Sequence, residues 1–282
     1  MENFNNTGGV SIIIPTKNNG GTLEELLKSI SSDNSKKIEV IVVDTNSNDD
    51  TREICKKYNV KIIKSDYGRS KSRNMGAIHA NYENLLFLDS DMEVSVEVLQ
   101  SCSNLHEYDA VIFKEITVGN NIIAKIRKYE RVGLFGTIYP EAPRCIKKKV
   151  FINLGGYNET MEGFEDLDLH SRLIRNNSHI KWEDAIIYHH EENISLAKYL
   201  KKRKFYSEYL NNFKRLNPTY YAKLISLRTR INGLHRSAKS YNIIYSIILM
   251  PMVISLRVLE IIYSQPIKNK HIEDFGSTPP DF

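Results

Sequence analysis

Three short apolar runs, separated by segments with helical spacing, limit the folds open to this chain. Apolar and β-branched residues fill most of residues 10–15, 38–43 and 84–88. Such runs are typical of strands buried on both faces of a parallel sheet. Between the first two runs, residues 22–30 repeat apolar side chains at helical spacing, with Thr22 as the predicted N-cap. This alternation predicts an α/β fold with right-handed crossovers.

The rest of the pattern adds elements of both kinds. Helices are predicted over residues 50–58 and 70–80, and from residues 94 and 165 onwards. Strands are predicted over residues 60–63, 110–113 and 185–188. An irregular stretch over the site is predicted for residues 114–150, because this segment contains Gly133, Gly136, Pro140 and Pro143.

Polar clusters follow three of the predicted strands, at residues 15–18, 44–47 and 89–91. The carboxyl ends of parallel strands meet at one edge of the sheet, so we expect these clusters to form a single site. Asp89 and Asp91 directly follow a buried strand, where two carboxylates are costly unless a positive charge balances them. A divalent cation that holds a diphosphate fits this position, since both groups offer it oxygen ligands.

Length and composition suffice for one large domain with its own core, or for one domain with an appendage. The chain has 282 residues, of which 41% are hydrophobic. Cys55, Cys102 and Cys145 are widely spaced and form neither a metal-ligand cluster nor a disulfide framework, which favours a reducing compartment. Residues 1–9 are polar and do not resemble a signal peptide.

Six motifs, in their order and spacing, resemble those of family 2 glycosyltransferases with the GT-A fold. They are SIIIPTKNN at 11–19, VIVVDTNSNDDT at 40–51, GRSKSRNMGA at 68–77, FLDSDME at 87–93, LGGYNETMEGFEDLDLHSRL at 154–173 and YHHEENIS at 188–195. The resemblance implies a Rossmann-like α/β domain over residues 1–195, with a mostly parallel central sheet flanked by helices and a C-terminal helical extension.

The resemblance also implies roles for particular residues. Those expected to bind the nucleotide-sugar donor are Pro15, Thr16, Asn18, Asp44, Arg73 and Asp89. Asp91 and His189 are expected to hold Mn²⁺ or Mg²⁺, and Glu165 and Asp166 match the acidic motif that supplies a catalytic base. Thr45 stands where many relatives have a second acid that reads uracil, so the base is left open.

The chemistry of sugar transfer also requires residues of these types, independently of the resemblance. A nucleotide-sugar donor loses a diphosphate, and a divalent cation neutralises the charge that develops on it. A carboxylate removes the proton of the attacking hydroxyl, and direct attack inverts the anomeric centre. Asp166 lies at a predicted helix start, where backbone N–H groups are expected to favour its ionised form. Without the neighbouring motifs, Glu165 and Asp166 would be interpreted as ordinary acidic residues in the first turn of a helix.

The last third of the chain is basic and then apolar. Residues 198–239 hold twelve Lys or Arg and one acid, Glu208, which suggests an anionic surface as partner for the predicted helical segment 196–240. Residues 241–264 predict an amphipathic helix on a membrane surface, kinked at Pro251, with packing on the domain or in a dimer as the alternative. Residues 265–282 are predicted to be disordered.

Together these features predict a metal-dependent, inverting glycosyltransferase at the cytoplasmic face of the cell membrane. Its partners would be a nucleotide-diphosphate sugar and a hydroxyl acceptor, such as a lipid-linked glycan, a glycolipid or a surface-polysaccharide precursor. No nucleic-acid partner is expected. Two alternatives stay open: a sugar-phosphate nucleotidyltransferase on the same fold, and a nucleic-acid-binding protein that uses the basic segment.

Overall fold

The computed structural model of the protein describes residues 8–32, 37–136, 142–191, 194–241 and 243–263. Within these ranges eight strands form one mixed sheet in the order β3-β2-β1-β4-β7-β6-β8-β5. The strands are β1 Val10–Thr16, β2 Ile38–Asp44, β3 Lys61–Lys64, β4 Asn84–Phe87, β5 Met92–Val94, β6 Ala110–Val118, β7 Cys145–Lys147 and β8 Ile180–His190.

Helices flank the sheet and continue beyond it. They are α1 Gly20–Ser31, α2 Thr51–Lys57, α3 Arg69–Ile78, α4 Val96–Ser103, α5 Ile122–Leu134, α6 Lys148–Asn153, α7 Glu165–Arg175, α8 Leu196–Leu216, α9 Pro218–Ile225, α10 Leu227–Ser240 and α11 Ile243–Tyr263. The predicted Rossmann-like fold with a C-terminal helical extension is confirmed.

The topology places a crevice next to β1. From β1 the chain moves outward to β2 and β3 through parallel pairings, and then returns to pair β4 in parallel on the other side of β1. In an open α/β sheet, this reversal of strand order creates a crevice at the carboxyl ends of the strands. Strand β7 is antiparallel to β4 and β6, and β5 is antiparallel to β8.

Both faces of the central strands are buried, which explains their uninterrupted apolar runs. In β1 the side chains of Ile12 and Ile14 enter one core cluster and that of Ile13 enters another on the opposite face. Alternate residues of a strand point to opposite faces, so covering both faces with helices requires apolar residues at successive positions.

Two local predictions were wrong. Helix α1 begins at Gly20 with Asn19 as N-cap, and the Thr22 hydroxyl instead donates to the Asn19 carbonyl. Residues 114–150 are largely regular where described: β6 continues to Val118, and α5, β7 and α6 follow. Residues 137–141 of this segment, including Pro140, lie outside the described residues.

Gly133 was taken as a helix breaker but lies within α5 at a helix contact. A Cβ atom at this position would collide with the backbone of Gly233 in α10. Apolar residues of α5, including Ile123, Ile126 and Tyr129, pack against Leu249 and other residues of α11 and against α8. The glycine therefore allows two helices to approach closely.

Helix α11 turns its mixed polar and apolar stripe toward the protein. Its buried residues, spaced by three and four positions, are Ser246, Leu249, Val253, Leu256 and Glu260. The residues that face away include Ile244, Ile247, Ile248, Ile254, Ile261 and Ile262, each more than half exposed. The predicted disordered tail, residues 265–282, lies outside the described residues.

Candidate active site

A cavity of about 420 Å³ opens at the carboxyl ends of the central strands. All three predicted polar clusters contribute to its wall. The predicted site residues that line it are Pro15, Thr16, Asp89, Asp91, Glu165, Asp166 and His189. The chain brings these side chains together from residues up to 174 positions apart in sequence, so the expected convergence on one site is observed.

Asp91 and His189 form a pair that is fixed by strand pairing. Strand β5 runs antiparallel to β8 with Met92 opposite His189, and the Asp91 carbonyl accepts a hydrogen bond from the His190 N–H. As a result His189 Nε2 lies 3.2 Å from Asp91 Oδ2. Burial alone would lower the pKa of His189, but the Asp91 carboxylate raises it above its usual value. Reciprocally, burial would raise the pKa of Asp91, yet His189 and then Lys202 help to lower it.

Glu115 completes this side of the site, although the sequence did not indicate it. Its carboxylate accepts hydrogen bonds from Arg144 Nε at 2.7 Å and from Arg131 Nη1 at 3.0 Å. Although burial opposes ionisation, Arg144, His189 and Arg131 hold the pKa of Glu115 well below its usual range. The available signal was the alternation of Phe113 and Glu115 in β6, since both side chains line the cavity.

The Arg73 guanidinium lies behind the cavity wall and joins two acidic motifs. Its Nη2 lies 2.5 Å from Asp89 Oδ1, and its Nη1 lies 2.9 Å from Glu165 Oε1 and 3.8 Å from Asp166 Oδ1. The side chain is only 1% exposed. Arg144 Nη1 contacts the other Asp89 oxygen at 3.5 Å. Arg73 contacts carboxylates that line the cavity but is not itself part of the lining, and its predicted contact with the donor stays a prediction.

Asp166 faces the cavity from the first turn of α7, with 30% of its side chain exposed against 3% for Glu165. Burial and the adjacent Glu165 carboxylate raise the pKa of Asp166 to about 7, although Arg73 and Arg144 act in the opposite direction. The expectation that the helix start would favour its ionised form was wrong, because burial and the neighbouring charge outweigh the backbone N–H groups.

Asp44 and Asn18 shape the loops behind the cavity. Asp44 is fully buried, and its carboxylate accepts hydrogen bonds from the Ser47 N–H at 2.9 Å and from Arg52 Nε at 3.0 Å. The Asn18 side chain accepts a hydrogen bond from the Asn48 N–H at 2.9 Å. Neither Asp44 nor Asn18 lines the cavity, whereas Thr45 does. Asp44 and Asn18 thus form contacts within and between the loops after β1 and β2, and their predicted contacts with the donor stay predictions.

One face of α8 lines the cavity. The residues that line it are Tyr199, Lys202, Arg203 and Tyr206. Arg203 Nε lies 3.2 Å from Glu260 of α11, and Tyr206 Oη lies 3.4 Å from Arg69 Nη1. The sequence had assigned these basic residues to an external anionic surface. Their spacing of three and four positions was the signal for a common inward face.

The Asp91–His189 pair suits a divalent cation. Adjacent ligands of an octahedral ion with bonds of about 2.1 Å lie roughly 3 Å apart, which is close to the observed separation of 3.2 Å. His189 Nδ1 lies 3.1 Å from Arg131 Nη2, which orients the imidazole ring, and 3.9 Å from Glu115 Oε2. No cluster of three or more protein ligands is found among the described residues. Mg²⁺-type sites commonly complete their coordination with substrate phosphates and water.

Sequence comparison identifies related proteins. The family model described as Glycosyl transferase family 2 matches residues 11–158. An uncharacterised glycosyltransferase of Mycoplasma genitalium is 29% identical over 194 residues, which cover 60% of this chain and 65% of that protein. A 4,4'-diaponeurosporenoate glycosyltransferase of Staphylococcus haemolyticus is 33% identical over 114 residues, which cover 38% of this chain and 28% of that protein. These matches span less than two thirds of either relative.

Structural comparison extends over more of the chain. The S. aureus protein TarS, as residues 1–349, superposes with a TM-score of 0.56 at 22% identity, covering 91% of this chain and 89% of TarS. The mannosyltransferase PcManGT from Pyrobaculum calidifontis, in complex with GDP-Man and Mn²⁺, gives a TM-score of 0.63 at 14% identity, covering 94% of this chain and 89% of PcManGT. At these identities the likeness establishes the GT-A fold.

Proposed function

Because the chain belongs to glycosyl transferase family 2, we propose that its cavity binds a nucleotide-diphosphate sugar and transfers the sugar to a hydroxyl acceptor with inversion, aided by a divalent metal ion. One observation carries the proposal. A pair able to hold a cation, Asp91 and His189, and a cavity-facing carboxylate with a raised pKa, Asp166, line the same cavity at the carboxyl ends of the strands. The departing diphosphate needs a cation and the attacking hydroxyl needs a base, and both must act within one site.

The position of the cavity supports a nucleotide donor. The loops after β1 and β2 contribute Pro15, Thr16 and Thr45 to its wall, next to the reversal of strand order where α/β sheets bind nucleotides. Two structural neighbours were obtained in complex with UDP-GlcNAc and with GDP-Man, respectively. Base and sugar therefore differ even among proteins of this fold, and the proposal leaves both open for this enzyme.

The proposed metal ion would be held by Asp91 and His189, with diphosphate oxygens as its further ligands. As a Lewis acid it would neutralise the negative charge that develops on the departing diphosphate. Asp89 is held by Arg73 and Arg144 and contributes its charge to the same wall. PcManGT, whose structure contains Mn²⁺, supports the choice of Mn²⁺ or Mg²⁺.

Asp166 is the proposed general base. The acceptor oxygen forms a bond to the anomeric carbon while the bond from that carbon to the diphosphate oxygen breaks, and the bonding electrons leave with the diphosphate. The acceptor proton passes to the Asp166 carboxylate. A base with a pKa of about 7 is largely ionised at slightly alkaline pH and accepts a proton more readily than an ordinary aspartate. Arg73 holds Glu165 beside it, which fixes the position of α7 at the cavity.

A thermal-shift screen tests the donor proposal. UDP, GDP, CDP and ADP are each added with Mn²⁺ and with EDTA, because a ligand that binds the native state raises the melting temperature. At least one diphosphate should raise it more with Mn²⁺ than with EDTA. No shift with any of the four would contradict the proposal. Release of pyrophosphate during turnover would instead indicate the nucleotidyltransferase alternative, which the two relatives named above, both described as glycosyltransferases, do not favour.

We further propose that α11 rests on an anionic membrane surface. By length and composition, residues Ile244–Ile262 of this helix could also cross a membrane, with a mean hydropathy of 1.9. However, Arg257 contacts Glu130 of α5 at 2.5 Å and Glu260 at 2.6 Å. A span through lipid would separate Arg257 from Glu130 of α5. A helix that packs on the protein through one face and exposes its isoleucines through the other fits an interfacial position.

The positive charge of the neighbouring helices favours an anionic membrane surface as the partner of the exposed isoleucine face of α11. Helices α8 to α10 carry the basic residues that precede α11, and basic groups next to an apolar helix add attraction to anionic lipid of about 1 kcal/mol each. The acceptor proposed for such an enzyme is accordingly a lipid-linked glycan, a glycolipid or a surface-polysaccharide precursor. This acceptor would meet the cavity at the cytoplasmic face of the membrane.

Cosedimentation with vesicles tests the membrane proposal. The protein should pellet with phosphatidylglycerol vesicles and much less with phosphatidylcholine vesicles. The double variant Ile247→Asp/Ile254→Asp should lose this binding, whereas Ile78→Asp, at an even more exposed position on α3, should keep it. If the double variant still pellets, or if wild type dimerises through this face or binds RNA in place of vesicles, the proposal is wrong.

A further inference from the structure

The residue just before Glu165 and Asp166 has an unusual backbone conformation. Phe164 is the N-cap of α7, and its φ of 64° and ψ of 11° lie in the left-handed region. This region is strained for a bulky side chain, and an N-cap residue usually has an extended backbone. The Phe164 side chain makes no capping hydrogen bond. Strained backbone persists only where the surrounding structure enforces it, and it is concentrated at functional sites.

Hydrogen bonds from the first turn of α3 fix the segment that leads to Phe164. The Ser70 hydroxyl donates to the Met161 carbonyl, and the Arg69 N–H donates to the Glu162 carboxylate at 2.6 Å. Ser70 and Met161 are both fully buried, so water does not compete for the bond between them. The chain therefore reaches Phe164 along a fixed path.

Helix α8 supplies a second set of contacts to this segment. A Cβ atom on Gly163 would come within 3.2 Å of the Tyr206 Cα, so the backbone approaches α8 more closely than a side chain would allow. The Phe164 ring stacks on Phe213 of α8, with ring centroids 5.2 Å apart and planes inclined by 19°. Phe213 is itself fully buried. This aromatic contact thus supports Phe164 in its strained conformation.

Resting on the proposed function, we propose that Phe164 is a positioning residue for the base: its left-handed backbone and its stacking on Phe213 set the direction in which Asp166 enters the cavity. Phe164 lies two residues before Asp166, and both line the cavity. The Asp168 N–H donates to the Phe164 carbonyl at 2.9 Å, so α7 starts directly from this residue. A change at Phe164 would therefore turn the first turn of α7 and move the Asp166 carboxylate, which now lies 3.8 Å from Arg73 Nη1.

NMR titration of the unliganded full chain tests this assignment without a substrate. Aspartate carboxyl carbons are labelled with ¹³C, and the resonance that is missing from Asp166→Asn identifies Asp166. In wild type this carboxyl should titrate with a pKa of about 7. Phe164→Ala should lower this pKa by about one pH unit, because a carboxylate that turns out of the wall loses burial and the neighbouring Glu165 charge.

Three further variants separate the ring from the backbone. Phe164→Tyr keeps the stacked ring and should keep the wild-type pKa of Asp166. Phe164→Gly loses the ring, but glycine adopts the left-handed conformation without strain, so the pKa should lie between those of wild type and Phe164→Ala. Phe213→Leu keeps the buried site apolar but removes the stacking partner, and should lower the pKa as Phe164→Ala does. Melting temperatures above the assay temperature show that these changes do not come from unfolding.

Calorimetry with a nucleoside diphosphate separates positioning from donor binding. The ligand is the diphosphate that gives the largest thermal shift, added with Mn²⁺. Phe164→Ala should bind it within about twofold of wild type, because a positioning residue for the base acts on the reaction and not on the binding of the leaving group. A loss of affinity of about tenfold or more would show that the ring binds the donor, and would overturn the positioning role.

The outcomes distinguish this inference from the proposed function. If wild type binds a nucleoside diphosphate and Phe164→Ala leaves the pKa of Asp166 unchanged, the positioning role is refuted while the proposed function stands. If the pKa falls as expected but wild type binds none of the four diphosphates, Phe164 places Asp166 as described and the proposed function falls. An equal pKa in Phe164→Gly and Phe164→Ala would refute the part assigned to the left-handed backbone.

Discussion

Two layers of the active site use the same residue types in opposite ways. The two acidic motifs, Asp89-Ser90-Asp91 and Glu165-Asp166, each place one carboxylate in an ionic layer around the buried Arg73 side chain and leave the other more exposed to the cavity, which all four carboxylates line. Arg73 binds Asp89 and Glu165, one from each motif. The more exposed members, Asp91 and Asp166, have side chains 34% and 30% accessible. Neighbouring acids in one motif can therefore have separate roles, since a buried charge requires a partner and a reactive carboxylate requires access.

The largest expected effect is on the cavity face at Asp166. Asp166→Asn should lower the rate of sugar transfer by about 10²–10⁴-fold, the usual contribution of a general base. Steady-state kinetics measure this loss. Folding favours the protonated form of Asp166, so ionisation reduces stability as pH rises toward and through about 7. The neutral variant should therefore be at least as stable as wild type at pH 8, and transfer at the wild-type rate would exclude this residue as the base.

The next effect is on metal binding, also at the cavity face. Asp91→Ala should remove the additional thermal shift that Mn²⁺ gives with a nucleoside diphosphate, and should reduce transfer by about 10²–10³-fold, since a Lewis acid contributes several kcal/mol. A matched control is Glu93→Ala, which removes an acid two residues further along that contacts His190 rather than His189. An undiminished Mn²⁺ effect in Asp91→Ala would contradict its assignment as a ligand.

The buried layer should respond through stability. Arg73→Met leaves Asp89 and Glu165 without their shared partner and should reduce the free energy of unfolding by about 3–5 kcal/mol, as for other buried ion pairs that lose one member. Arg52→Met breaks the pair with Asp44 from a more exposed position and should cost less. Urea denaturation measures both. Equal stability of Arg73→Met and wild type would mean that the ionic layer is not structural.

The smallest expected effect is the dependence of activity on pH. Because the base must be ionised, kcat/KM should fall by about tenfold for each pH unit well below 7 and level off above it. The charged groups that face Asp166 are Glu165, which raises its pKa, and Arg73 and Arg144, which lower it. Glu165→Gln should therefore move the midpoint to lower pH. A midpoint unaffected by this substitution would contradict the electrostatic origin of the shift.

The sequence predicted the half of the molecule in which neighbouring strands are local in sequence. Strands β1 to β4 were found from their apolar runs, and Asp89, Asp91 and Asp166 were found from motifs at element ends. Arg73 was placed near the site, but its burial was not foreseen, because a helical arginine next to Lys71 resembles a solvated charge. Its spacing from the buried Ser70 and Ala77 shows in retrospect that it lies on the inner face of α3.

The second half was less predictable because its contacts are not local. The role of Glu115 becomes visible only when Arg131 of α5 and Arg144, just before β7, are seen to bind its two carboxylate oxygens. Strand β7 has three residues, too few for a periodic signal. For α11 the polar stripe was recognised but its direction was not, since a sequence pattern cannot tell whether Glu260 meets water or, as observed, Tyr199, Arg203 and Arg257.

The bond network around Glu260 has a practical consequence for work on this enzyme. A shortened protein that stops at residue 195 would keep every motif of the α/β domain and still lack Lys202 and Arg203. A protein that stops after α10 would keep Lys202 and Arg203 but lose Glu260, whose carboxylate binds Tyr199 and Arg203 and so holds this face of α8 toward the cavity. Minimal fragments chosen from sequence motifs alone would thus be poor reagents for inhibitor screening or crystallisation.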